Sequence, residues 1–352
     1  MIRYSYDGNG RADASLPLMT IHAMFYNQAR FARATLESML AQTYGNVEVV
    51  VSDDCSPDGT GEVLLDAARS YAGPHRVVVN VNESNMGIGD HFARVTSLSS
   101  GLWHTSLGGD DLAEPGYLHT VAEYAKRHPD AVAIGCAAAT IDEEGNPIGE
   151  AYAVDRPAVY LRYESGPATW SLNPGDDVAI VPVTGCVASY SRRLLDAAPF
   201  PKGIMAEDAF LGFRAALVGD VLFIPEKCVR QRINRASVMR AGKRAGSRAE
   251  RKKFRRRMSA MTFTALSAVL EEARLLRPDL DAEFTKGISR VASESLLESF
   301  HLPDPLGRNY CKYKMALEDV RKDLSVLQIL RHARARGLLA ETVKLMLKGI
   351  IQ

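Results

Sequence analysis

A doubly wound α/β sheet flanked by helices, followed by a helical C-terminal extension, is the fold that this sequence predicts. Three observations predict it. Short apolar runs alternate with segments of helical spacing, each run ends in a polar turn, and strand signals thin out beyond residue 240.

The elements follow in order. The first 15 residues are polar and glycine-bearing, and are expected to form a loose tail. Residues 18–24 are a short apolar run read as a buried strand, ended by Tyr26-Asn27. Residues 29–42 then place Phe31, Leu36, Met39 and Leu40 largely on one helical face. A second strand is expected at 47–52, a helix at about 60–72 and a third strand at 76–81. Beyond these come a helix at 88–101, a strand at 102–107 and a helix at 116–128 with Pro115 just inside its start. A strand at 131–137, a hairpin around 144–146, strands at 180–190 and 221–224, and a helix at about 207–218 complete the sheet region. The expected organisation is therefore a tail over 1–15, a catalytic α/β domain over 16–240, and helices over 241–352 at roughly 248–276, 281–300, 309–333 and 337–350.

Composition narrows the function classes. The chain has 352 residues, 46% of them hydrophobic and 24% charged, with a net charge of +1, which places it among ordinary globular proteins. Its 5 cysteines are scattered and never form a CxxC pair, so neither a disulfide framework nor a structural zinc site is expected. No apolar signal core opens the sequence and no run reaches the length of a membrane span, so a cytoplasmic location is expected.

In a parallel sheet of this kind, ligands bind at the carboxyl ends of the strands. The turns at 25–27, 53–60 and 108–111 all follow apolar runs and should converge on one edge. Two of them carry adjacent aspartates, Asp53-Asp54 and Asp110-Asp111, and a third acidic pair, Glu207-Asp208, opens a helix. Adjacent carboxylates repel unless a cation neutralises them, and hard oxygen ligands suit Mg²⁺ or Mn²⁺, which also bind diphosphate oxygens. Gly108 and Gly109 would let a bulky nucleotide approach the backbone. Each pair also has a plainer reading. Asp110-Asp111 could cap the helix near Pro115, Asp58 or Thr60 could cap a helix, and Glu207-Asp208 could complement a helix dipole.

Taken together, the motifs resemble the family 2 glycosyltransferases of GT-A fold. They run in order: Phe25-Tyr26-Asn27, the segment 38–44, Asp53-Asp54 with Asp58-Gly59-Thr60, Asn85-Met86-Gly87, Gly109-Asp110-Asp111 and Glu207-Asp208. The resemblance covers about residues 16–235. It implies inverting transfer from a nucleotide-sugar, UDP-linked by family habit, with a divalent metal, in bacterial cell-surface polysaccharide synthesis. It further implies that Phe25 and Tyr26 border the base and ribose, that Asp54 accepts from a pyrimidine N–H with Asp53 shaping the turn, and that Asn85 and Gly87 lie against the nucleotide. Asp110 would face the ribose or sugar, Asp111 would ligate the metal, Asp208 would be the base and Glu207 its positioning partner.

The sequence departs from the family pattern at Gly108, where relatives often carry a further Asp, and at Met24-Phe25, where Pro-Thr is usual. It also has Asn234 near the place of a frequent His, where Arg230, Arg232 or Asn234 would have to substitute. Arg230, Arg232 and Arg235 are phosphate partners on chemistry alone. The basic cluster at 240–257 lacks interleaved aromatics beyond Phe254, which argues against nucleic acid and for a solvated or membrane-facing helix. The apolar stretch 337–352, broken by Lys344 and Lys348, suits a membrane interface on the cytoplasmic side or a packed helix. The expected partners are a nucleotide-sugar donor and a glycan or lipid-linked acceptor, with homo-oligomerisation left open. A rival reading is a degenerate homologue that binds nucleotide or glycan as a scaffold.

Overall fold

The computed structural model describes residues 1–10, 12–151, 158–160 and 185–234, with a few positions between 247 and 278. The chain divides into two compact units, Met1–Tyr163 with Ile180–Arg235, and Glu164–Ala179 with Ala236–Gln352. The architecture below is that of the first. In the second, the described positions between 265 and 276 are helical, within the helix expected at 248–276. The expected helices at 281–300, 309–333 and 337–350 lie outside the described residues, as does nearly all of the basic cluster.

In chain order the elements are β1 (Ile2–Tyr6), β2 (Met19–Phe25), α1 (Ala29–Leu40), β3 (Val47–Asp53), α2 (Thr60–Arg69), β4 (Arg76–Val81), α3 (Ile88–Ser97), β5 (Trp103–Gly108), β6 (Leu112–Ala113) and α4 (Tyr117–Arg127). They continue with β7 (Ala131–Ile141), β8 (Pro147–Ala151), β9 (Ala158–Tyr160), a 3-10 turn (Gly185–Val187), β10 (Ala188–Ser191), the short α5 (Arg192–Leu195), α6 (Glu207–Val218) and β11 (Asp220–Arg232). Among the described residues the strands form one sheet in the order β1-β4-β3-β2-β5-β10-β7-β11-β6, with β8 on β7 and β9 on β11.

The neighbours β4, β3, β2 and β5 are parallel, as are β7 and β11. From β2 the chain steps outward through β3 to β4, then crosses back to place β5 on the other side of β2. The gap between β2 and β5 is therefore the topological switch point, where the helices leave in opposite directions and open a crevice at the carboxyl ends. The doubly wound expectation holds, with antiparallel strands added at both flanks.

Continuous apolar runs mark these strands because both faces are covered. Val47, Val49 and Val51 pack with Leu36 and Met39 of α1 and Leu64 of α2, while Val50 and Val78 meet Val95 of α3 on the opposite face. Helix α1 buries Phe31, Ala32, Thr35, Leu36 and Met39, a stripe at helical spacing. Trimming the fully buried Leu36 to Ala would cost about 2–5 kcal/mol.

Two expectations need correction. Much of the loose tail is a strand: β1 pairs antiparallel with β4 along Ile2–Tyr6, because the β4 edge would otherwise leave its backbone groups unpaired. The last strand is also far longer than 221–224. It passes through a polar stretch around Glu226-Lys227 with shifted register, and its backbone pairing with β7 carries it on to Arg232.

Candidate active site

The carboxyl ends of β2, β3 and β5 lie in register, with Phe25 opposite Asp53 and Met24 opposite Gly108. This gathers the three turns read from the sequence. Asn27 and Cys55, just beyond β2 and β3, both take left-handed backbone conformations (φ 56° and 60°), and Asn27 N–H donates to Ser56 Oγ at 2.9 Å. Left-handed non-glycine residues are uncommon and mark a constrained turn. Tyr26 is left 49% exposed at this edge, whereas Phe25 is 1% exposed and packs in the core. Phe25 is the last residue of β2 and Tyr26 lies in the turn beyond it, so of the two only Tyr26 has a side chain open to solvent.

Asp53 and Asp54 are both buried and do different work. Asp53 accepts from Ser56 N–H and from Ser56 Oγ, closing the turn. Asp54 reaches the other way. Its oxygens accept from Asn82 Nδ2 at 2.8 Å, Met86 N–H at 2.9 Å and Gly87 N–H at 3.1 Å. Asn85 Oδ1 also accepts from Gly87 N–H, at 3.1 Å. Asp54, Asn85 and Gly87 therefore meet, with Asp54 holding the exposed 83–88 loop at the start of α3. Asp58 accepts from Thr60 N–H and from Ala29 N–H, at 3.1 and 3.0 Å, so it caps α1 from the β3 turn.

Asp110 and Asp111 follow β5 at the switch point. Neither caps the next helix, since the residue ahead of α4 is Gly116 and makes no side-chain bond there. Asp111 is 4% exposed, and its Oδ1 accepts from Arg232 N–H at 2.7 Å. Asp110 Oδ2 accepts from Asn234 Nδ2 at 3.2 Å. The glycines before the pair are dictated by space. A Cβ on Gly108 would lie 2.5 Å from Asp111 Oδ2, and one on Gly109 would lie 2.2 Å from Gln28 Oε1. Gly108, where relatives often carry Asp, thus leaves room that the Asp111 carboxylate takes up.

Glu207 and Asp208 form the first turn of α6. Asp208 Oδ1 accepts from Ala209 N–H at 2.7 Å and Oδ2 from Gly185 N–H at 3.3 Å. The 3-10 turn that supplies Gly185 also carries Cys186, whose thiol is pushed up by burial first, and then by the charges of Asp111 and Asp208. That shared neighbour puts the second and third acidic pairs in one locality.

Five of the carboxyls gathered here resist ionisation. Burial raises Asp53 and Asp110 and, with Asp110 adding repulsion, pushes Asp111 up to about 8. Burial, then Asp208, pushes Glu207 up to about 8, and burial raises Asp208 as well. Desolvated acids side by side are a site that gains from a cation. Among the described residues no group of three or more His, Cys, Asp and Glu side chains could hold a metal. Asp110 and Asp111 fit the other arrangement, in which one or two carboxylates share a Mg²⁺-like ion with substrate phosphates.

Arg232 departs from its expected role as a phosphate partner. It is 9% exposed; its Nε donates to Asp110 O at 2.8 Å and its Nη1 to Asp142 O and Glu143 O, both at 2.9 Å. Its guanidinium carbon lies 4.9 Å from the Phe31 ring centroid. Arg230 pairs with Glu114 at 2.9 Å, and Arg235 lies outside the described residues. Sequence reading missed the role of the β7–β8 turn, which Arg30 also grips through Glu143 and Glu144 at 2.7 and 3.2 Å. It also missed Gly185 and Cys186. No local pattern marks these residues, because their contacts span 23 or more positions.

Comparison with known proteins agrees with this geometry. Residues 20–194 match the profile of Glycosyl transferase family 2. The chain is 25% identical over 229 residues to the glycosyltransferase GlyA of Streptococcus pneumoniae, an alignment covering 63% of this chain and 31% of that protein. The chain spans 31% to 56% of the length of its leading curated relatives. Among solved structures it resembles S. aureus TarS 1-349 in complex with UDP-GlcNAc, with a TM-score of 0.56 at 16% identity, covering 91% of this chain and 83% of that one. It also resembles the mannosyltransferase PcManGT of Pyrobaculum calidifontis in complex with GDP-Man and Mn²⁺, with a TM-score of 0.52 at 15% identity, covering 94% and 81%. These likenesses match the GT-A type of sheet described above. With the family profile spanning the switch point and both aspartate pairs, the chain belongs to glycosyl transferase family 2.

Proposed function

We propose that the protein is an inverting glycosyltransferase that moves a sugar from a nucleotide-diphosphate-sugar, with UDP the first choice, to a hydroxyl of a glycan or lipid-linked acceptor. The observation that carries this reading is the gathering of Asp110-Asp111 and Glu207-Asp208 around one 3-10 turn beside the switch point. TarS with UDP-GlcNAc and PcManGT with GDP-Man and Mn²⁺ support a nucleotide-sugar donor and a divalent ion.

In this reading Tyr26 lines the base, and the 83–88 loop held by Asp54 closes the nucleotide side. Asp111, with Asp110, holds Mn²⁺ or Mg²⁺, which when bound offsets the negative charge that grows on the leaving diphosphate. Asp208 receives the proton of the acceptor hydroxyl as its oxygen bonds to the anomeric carbon. The bond from that carbon to the diphosphate oxygen breaks on the opposite face, which inverts the centre and releases the nucleoside diphosphate. Burial raises the proton affinity of Asp208, which suits proton removal near neutral pH, and Glu207 stands beside it as its positioning partner. Among the described residues no helix is long and apolar enough to cross a membrane. Action at the cytoplasmic face on a bacterial surface-polysaccharide precursor is part of the proposal.

A panel of nucleotide-sugars with and without Mn²⁺, read first by melting temperature and then by nucleotide release with acceptor, tests the reading. A true donor raises the melting temperature by mass action and is consumed. A panel in which no donor shifts the melting temperature overturns the proposal. Binding without any transfer would favour the scaffold reading.

A further inference from the structure

Arg232 connects three parts of the site that are distant in sequence. Its backbone N–H holds Asp111 Oδ1 at 2.7 Å, and its Nε holds Asp110 O at 2.8 Å. Its Nη1 holds the carbonyls of Asp142 and Glu143 at the β7–β8 turn, both at 2.9 Å. Phe31, from the first turn of α1, lies against the guanidinium, and Arg30 beside it pairs with Glu143 and Glu144. Two residues further on, Asn234 holds Asp110 Oδ2 at 3.2 Å. Backbone and side chain of one residue thus grip both members of the acidic pair, and the same guanidinium fixes them to a hairpin that contributes no ligand.

We infer that Arg232 is a positioning residue for the divalent-ion site: its fork, braced by Phe31 and the 142–146 turn, sets the direction in which the Asp110 and Asp111 carboxylates present their oxygens. This rests on the metal reading of Asp110-Asp111 given above. The physical reason is geometric. Two vicinal carboxylates on a turn have many rotamers, and a shared cation needs them in one. Groups that hold ligating side chains in orientation typically govern metal affinity by about 10- to 100-fold. A lysine would keep the positive charge but not the span. Its single ammonium cannot reach Asp110 O on one side and two carbonyls of the hairpin on the other with fixed geometry.

The test compares wild type, Arg232→Lys and Asn234→Ala by Mn²⁺ titration in the presence of UDP, reading free Mn²⁺ by its electron paramagnetic resonance signal. UDP affinity in EDTA is measured alongside. Arg232→Lys is expected to weaken Mn²⁺ binding by at least about 10-fold and to leave UDP affinity in EDTA unchanged, a split that a loosened fold would not produce. Asn234→Ala, which leaves the fork intact and removes only the bond to Asp110 Oδ2, is expected to weaken Mn²⁺ binding to a smaller degree, and Phe31→Leu, which removes the ring against the guanidinium, serves if Arg232→Lys does not fold. Equal Mn²⁺ affinity in wild type and Arg232→Lys, or in wild type and Phe31→Leu where that variant serves, overturns the positioning role while leaving the metal site standing. Equal losses of Mn²⁺ and metal-free UDP affinity also overturn it, because that is a general structural effect. A wild type that takes up no Mn²⁺ with UDP fails at the earlier step and removes the metal reading together with the role of Arg232.

Discussion

Asp54 accepts the backbone N–H of Gly87 at 3.1 Å, tying the end of β3 to the first turn of α3 across 33 positions of sequence. The bond makes Asp54 a holder of the 83–88 loop, which in the proposed reading closes the nucleotide side. With Met86 N–H and Asn82 Nδ2 also directed at it, the carboxylate has little accepting capacity left for a ligand.

Replacing Asp54 by Ala would strand those donors. The expected result is a stability loss on the order of 1–3 kcal/mol, because the buried Asn82 amide and two N–H groups of the loop lose a charged acceptor. It should be visible in urea midpoints, together with faster amide exchange confined to residues 83–88. Donor affinity should fall as the loop loosens. Unchanged exchange in that loop would show that Asp54 does not hold it.

Gly109 predicts a steric effect. An Ala there would place its Cβ 2.2 Å from Gln28 Oε1, 2.7 Å from Phe25 Cδ1 and 2.8 Å from Met24 O. Gln28 can swing away, but the strand carbonyl and the core ring cannot, so a cost of roughly 1–3 kcal/mol is expected. Thermal denaturation of Gly109→Ala measures it. The substitution Gly108→Asp should reduce Mn²⁺ binding, because the new side chain meets Asp111 Oδ2.

The pH dependence of stability follows from Glu207. Its carboxyl titrates near 4.5 when unfolded and is pushed up to about 8 in the fold, first by burial and then by Asp208. Between those values the native state binds more protons than the unfolded state, so stability falls as pH rises through this window. Asp111 acts in the same direction. In EDTA, the urea midpoint of Glu207→Gln minus that of the wild type should grow from pH 5 to pH 8; the difference is the readout because the buried His22 and His104, held neutral by desolvation, drive stability the other way up to about pH 6.5. A difference that stays constant across this range would show that Glu207 ionises normally.

Asp208→Asn separates binding from chemistry. The amide keeps an oxygen for the Gly185 or Ala209 N–H but cannot take a proton. Nucleotide-sugar binding by calorimetry should stay within a few-fold of wild type, while transfer falls by about 10²-fold or more, the usual scale for losing a general base. Transfer at the wild-type rate would remove Asp208 as the base.

Most of the sheet was legible because both faces of its central strands are covered, which leaves near-continuous apolar runs such as 47–52 in the sequence. The helices showed through a stripe such as Phe31, Leu36 and Met39. Less was legible where backbone pairing overrides side-chain pattern. Ile2–Tyr6 reads as a polar tail yet completes the edge of β4, and β11 continues to Arg232 through a polar stretch. At the site, the acidic pairs were visible as residue types at strand ends, whereas their tasks were not. Phe25 and Tyr26 are neighbours in sequence, and only the end of β2 between them decided that one is buried and the other exposed.

What the sequence by itself determined is the α/β class, the switch-point edge and the identity of the acids on it, since strand periodicity and turn chemistry are local properties. The direction each charged side chain takes was decided only by tertiary structure. Arg232 turns inward to carbonyls at 110, 142 and 143, and Asp54 turns toward the 83–88 loop, because a buried donor or acceptor must find its partner wherever the fold has brought one within reach.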